Sequence, residues 1–122
     1  MKLTTDAAES MIVAAAQKAA EIGIAVNIAV LDSGAHLKAF RRMDGAALGA
    51  IDLAIRKART AALFEMDSEQ IWEFVKPGAP AEGMQFSNDI LITFAGGVLL
   101  KSYDGEVVGA IGVSGGTVPQ DG

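Results

Sequence analysis

The chain has 122 residues, 51% of them apolar and 20% charged, with a net charge of −5 at pH 7 and no cysteine. That length allows one ordinary domain with a real core, and the balance excludes a disordered chain. The acidic charge argues against nucleic acid and anionic membranes as partners, and the missing cysteine excludes disulfides, thiolate chemistry and cysteine metal sites.

No signal-peptide pattern precedes the first periodic segment, and no apolar run reaches the ~18 residues of a membrane span, so a cytoplasmic protein is expected. Residues 4–22 predict an amphipathic helix, with Ala8, Met11, Ile12, Ala15, Ala19 and Ile22 on one side. Thr4, Thr5 or Asp6 can cap it, with Glu9 closing a capping box on Asp6. Gly23 stops it. Residues 24–31 predict a strand. Val26, Ile28 and Val30 share one face, and Ala25, Ala29 and Leu31 the other, so both faces should be covered. Asp32-Ser33-Gly34 is a turn, and residues 36–41 return as the second strand of a hairpin.

Met43-Asp44-Gly45 breaks the pattern. A second helix follows, with Leu48, Ile51, Ile55, Ala58 and Ala62 on its apolar face and Asp52 paired with Arg56. Asp67 and Gln70 form a capping box for a short third helix carrying Ile71, Trp72 and Val75. Residues 77–89 predict a loop long enough to be functional. Three strands complete the chain, over 90–95, 98–102 and 106–114. Gly96-Gly97 separates the first two; Asp104-Gly105, a type I′ hairpin signal, separates the last two. The reading is an α+β domain spanning 1–122 with a mainly antiparallel sheet.

Four stretches carry a family resemblance. They are residues 30–46 (Val30-Leu31-Asp32-Ser33-Gly34-Ala35-His36 through Ala46), Arg56-Lys57-Ala58-Arg59-Thr60-Ala61, Gly96-Gly97 before Asp104-Gly105, and Val107 through Gly116. In that order and spacing they resemble the GlcG/HbpS-like family, long catalogued as a domain of unknown function. The same pattern is similar to the C-terminal part of some PduO-type propanediol-utilisation corrinoid proteins. The resemblance implies profilin-like α/β/α layers, a five-stranded antiparallel sheet with helices on both faces. It also implies homo-oligomers, from tetramer to octamer, and haem or corrinoid-related binding in some members. Two departures stand out. Position 35 is Ala35 where the family's turn has a second glycine. The chain ends at Gly122, where the family continues past a Gln-Asp pair, here Gln120-Asp121, into a terminal helix.

The residues themselves offer few chemical groups. His36 is the only histidine, hence the only proton shuttle at neutral pH and the only nitrogen ligand suited to a metal such as haem iron. The rival reading is a histidine beside a hairpin turn. Arg41 and Arg42 can hold a carboxylate bidentately, with Met43 lining a pocket and Asp44 beside them. Equally, they are solvated charges, a salt bridge and a core methionine. Lys57 is either a desolvated amine with chemistry or a solvated helix charge. From Val107 to Gly116 the strand carries glycines, which weaken a strand unless something must come close. That something is a helix, a partner subunit or a flat ligand. Ser114, with Gly115, Gly116 and Thr117, can offer donors to an anion. Asp32, Asp89, Asp104 and Asp121 are explained by turns.

Three functions follow. The first is a module binding a small or flat ligand, haem-like or a small carboxylate, through His36, Arg41 and Met43. The second is a small enzyme acting on a hydroxy acid or aldehyde-derived metabolite, with His36 or Lys57 as base and Arg41 as anchor. The third is an interaction protein whose oligomer is its function.

Overall fold

In the computed structural model, which describes residues 2–115, the chain is organised around a strand that is apolar on both faces. That strand, β1 (Asn27–Asp32), is buried except at its last residue. Ile28 and Val30 point into one layer, and Ala29 and Leu31 into the other. Each large side chain sunk in this way contributes roughly 1.5–3 kcal/mol. Helix α1 (Thr5–Glu21) precedes β1 and closes the first layer with Ala8, Ile12 and Ala19. Strand β2 (Leu37–Arg42) follows it, then helices α2 (Ala50–Phe64) and α3 (Ser68–Val75). A short 3-10 turn at Met84–Phe86 leads to β3 (Gly97–Lys101) and β4 (Val107–Ser114).

The strands are ordered β2-β1-β4-β3, and every neighbouring pair is antiparallel. Helix α2 covers the second face, so helices lie on both sides of an α+β sheet. The sheet has four strands among the described residues, not the expected five. Residues 90–95 are the discrepancy. Leu91 and Ile92 are buried, as strand residues would be. The backbone here, however, is met by a loop carbonyl and by helix side chains instead of a neighbouring strand, the Leu91 N–H donating to the Gln85 carbonyl at 2.7 Å. Thr60 Oγ1 accepts the Ile92 N–H at 2.9 Å, and Ser68 Oγ donates to the Phe94 carbonyl at 2.6 Å. Just before, Asn88, Asp89 and Ile90 all take positive φ, which no strand continues through.

Local chemistry corrects two smaller expectations. Of the three expected caps Thr4 is the one that caps α1, its Oγ1 accepting the Ala7 N–H at 3.0 Å, so the box of Glu9 on Asp6 is not the cap. Asp104-Gly105 does not form a type I′ turn. Gly105 alone has positive φ and donates its N–H to the Ser102 carbonyl at 2.9 Å, while Ser102 donates to Glu106. This is a three-residue loop ending in a left-handed residue. The β1–β2 hairpin uses the same device, with Ala35 at φ 65 in the glycine-type position. The α3 capping box forms as expected.

The apolar face of α2 is also displaced from its expected position. Leu48 lies before the helix and is exposed, and Ile51 and Ile55 are only partly buried. The buried residues are Ala50, Ala54, Lys57, Ala58, Thr60, Ala61 and Ala62, so of the expected face only Ala58 and Ala62 are buried. The reason is contact at the backbone level. A Cβ on Gly112 would lie 1.9 Å from the Ala54 carbonyl oxygen, and one on Gly97 would lie 2.2 Å from that of Lys57. Only alanines, or a side chain that runs along the sheet, fit under a helix that close. The body that presses on β4 at Gly112 is therefore α2, whereas a Cβ on Gly109 would lie 2.2 Å from the Leu31 carbonyl oxygen of β1.

Candidate functional site

Sheet register divides the candidate residues between its two ends. Asp32 of β1 pairs with Gly109, whereas Asn27 pairs with Ser114 and Ile28 with Val113. His36 belongs to the Asp32 end. Arg41 pairs with Ile28, five residues and roughly 17 Å along the strand from His36. The expected grouping of His36 with Arg41 and Met43 is thus not formed.

At the far end the candidates are mostly structural. Met43 is half-buried in the α1-side core, its sulfur 3.5 Å from the Val26 N–H. It is packing, not a pocket wall. Asp44 is exposed in the turn that follows. Arg41 lies exposed on the edge strand, where it lines a groove of about 340 Å³ against Glu9, Ile12 and Val13 of α1. Lys57 is 1% exposed, so it is no solvated helix charge. Its ammonium donates to the Val113 carbonyl at 2.9 Å and sits 5.2 Å from the centre of the Phe94 ring. Ser114 is buried beside it in register with Asn27. The Asn27 amide donates to the Ala47 carbonyl at 3.0 Å, while its buried oxygen makes no hydrogen bond among the described residues. The anion-binding reading of 114–117 falls partly on Gly116 and Thr117, and the turn at Asp121 wholly, outside the described residues.

The other end has the geometry of a site. The hairpin loop after β1 is held by the Asp32 carboxylate. One of its oxygens accepts the Gly34 N–H at 2.9 Å and the His36 N–H at 3.0 Å. These contacts, led by the His36 backbone and outweighing the opposing effect of burial, hold the Asp32 carboxyl below the usual carboxylate range. The same oxygen is 3.3 Å from Nδ1 of His36, whose side chain is 80% exposed. The imidazole folds back over Gly34, where a Cβ would come within 2.9 Å of the ring.

His36 stands in a cleft of about 440 Å³. Leu3 and Val108 supply apolar wall, and Lys2 and Lys38 supply positive charge. An imidazole oriented by a carboxylate, with cations nearby, can ligate a metal, relay a proton or hold an anion. Sequence reasoning assigned Asp32 to turn chemistry alone and passed over Lys2, Lys38 and Asn27. The pairing of Asp32 with His36, four residues apart across a turn, was the available signal. Among the described residues no three His, Cys, Asp or Glu side chains gather into a metal site, and no helix is long and apolar enough to cross a membrane.

Known proteins share this fold and sequence. Protein GlcG of Escherichia coli strain K12 is 38% identical over 112 residues, spanning 92% of this chain and 81% of its own length. The crystal structure of Klebsiella pneumoniae protein ORFY matches with a TM-score of 0.93 at 36% identity, covering 99% of this chain and 84% of that one. A structure of PduOC in complex with haem matches with a TM-score of 0.91 at 29% identity, covering 99% of this chain and 88% of that one. A family model described as haem degrading protein HbpS-like matches residues 3–122. On that match and these likenesses, the chain belongs to the HbpS-like family.

Proposed function

We propose that this protein binds a flat, carboxylate-bearing ligand of the haem type, which His36 would hold through its ring nitrogen. One observation carries the reading: the only imidazole of the chain stands in a cleft, oriented by Asp32 and accompanied by Lys2 and Lys38. The donor set fits the group. An imidazole suits iron and lysines suit propionates, while Leu3 and Val108, each 8% exposed, add a small apolar edge. The PduOC–haem structure, in the same fold, supports the same ligand class. Bound there, haem would supply a redox-active, ligand-binding iron; the protein's own part is to hold the ring nitrogen and neutralise the carboxylates.

The cleft is open, so it covers one side of such a ligand. The other side is left for a second copy of the chain, consistent with a homo-oligomer. Exposed Trp72, Phe74 and Phe86 give such an assembly apolar surface elsewhere.

Hemin titration tests the proposal. Wild type should develop a Soret band with saturable stoichiometry, and His36→Ala should lose it. An unchanged band and affinity in His36→Ala would refute His36 as the donor. Light scattering with and without hemin reports whether copies assemble around it. The enzymatic reading has less support, because His36 and Arg41 lie far apart and Lys57 donates to a carbonyl from a buried position.

A further inference from the structure

We infer that the neutral ring of His36 carries its proton on Nδ1 and presents Nε2 as the donor atom, because Asp32 and Gly34 form a cradle for it. Free imidazole side chains in water favour the opposite tautomer, so the inference is specific.

Three features support it. First, Nδ1 faces the Asp32 oxygen at 3.3 Å. The flipped ring would turn a C–H towards an ionised carboxylate and forfeit the attraction between Nδ1–H and that oxygen. Second, that carboxylate cannot swing away freely. The same oxygen holds the Gly34 and His36 N–H groups, so releasing the ring contact by moving Asp32 would also open the turn. Third, the ring rests on bare backbone. A Cβ at position 34 would lie 2.9 Å from Cε1, 3.0 Å from Nδ1 and 3.3 Å from the Asp32 oxygen. Gly34 is not in the left-handed region, so room for the ring, not backbone freedom, is what glycine provides there.

With Nδ1 turned to Asp32, the lone pair of Nε2 is the one left for a ligand. Asp32 is thus a positioning residue acting through His36. That Nε2 meets iron rests on the haem reading above; the tautomer does not.

The chain's single histidine makes the test unambiguous. Long-range 1H–15N correlation spectra of the 15N-labelled, ligand-free protein, taken where the ring is neutral, should show a protonated Nδ1 and an unprotonated Nε2. Asp32→Asn can retain the turn's two backbone contacts but removes the charge; the tautomer ratio should move towards that of free imidazole. Gly34→Ala should displace the ring and move it the same way, with the far-ultraviolet dichroism unchanged. A wild-type ring protonated on Nε2, or a ratio untouched by both substitutions, overturns the inference. Hemin titration separates it from the function. Correct tautomer without hemin binding sinks the haem reading and leaves the cradle standing. Hemin bound through His36 with the opposite tautomer does the reverse.

Discussion

Replacing Gly112 by alanine tests whether backbone contact sets the distance between helix and sheet. A glycine inside a strand costs about 0.5–1 kcal/mol relative to alanine, so with neutral packing the change should stabilise the protein. The structure predicts the opposite sign. The added Cβ would lie 1.9 Å from the Ala54 carbonyl oxygen and 2.8 Å from the Ala58 nitrogen, where ordinary contact begins at 3.4 Å. Both obstacles are backbone, so neither can rotate aside. Helix α2 must retreat by about 1.5 Å, enough to forfeit half or more of the dispersion contact along its path. Ala54, Ala58 and Ala61 all lose sheet contact together. Overpacking of this kind typically costs 1–3 kcal/mol, and rigid obstacles place this case near about 3 kcal/mol. Offset by the strand gain, the net loss is about 2 kcal/mol. Urea unfolding followed by circular dichroism measures it. Gly49→Ala is the control, since nothing lies within 4 Å of its added Cβ and its φ is −63. A Gly112→Ala protein as stable as wild type would refute the claim that position 112 is glycine for the sake of α2.

Other predictions follow from the same contacts. Ala35→Gly should stabilise the protein by about 1 kcal/mol, or about 4 °C in melting temperature, by relieving a left-handed alanine at φ 65. Gly105 occupies the equivalent position of the other hairpin at φ 86, so Gly105→Ala should lower the melting temperature by a similar amount. Thr60→Val should lose roughly 1–3 kcal/mol in urea unfolding, because the Ile92 N–H that Thr60 accepts would be left buried and unmet. Acid stability depends on Asp32 and Asp104. The Ser102 hydroxyl, then the Glu106 N–H, hold Asp104 below its usual range, as the His36 and Gly34 N–H groups do for Asp32. Folded-state values below the unfolded ones mean a contribution present above the unfolded pKa and lost as pH falls through the folded one. Urea midpoints should therefore drop between about pH 5 and pH 2, and more shallowly in the Asp32→Asn, Asp104→Asn double variant. An identical slope would contradict this assignment.

Elements whose signals are local could be read from the chain alone. The period of α1, the two apolar faces of β1, the turn at Asp32, the α3 capping box and the last two strands all arise from neighbours within a few residues. The family was legible for the same reason, since its motifs are short and ordered. The tertiary structure decided whatever depended on a distant partner. Residues 90–95 look like a strand, but Thr60 and Ser68, remote in sequence, bond the backbone of Ile92 and Phe94 that a neighbouring strand would need. The buried face of α2 follows from Gly97 and Gly112, not from where its large side chains lie. Sheet register, invisible in one dimension, sent Lys57 and Ser114 to one end and left His36 at the other with Asp32. Periodicity records which residues are apolar; only packing decides which polar group meets which.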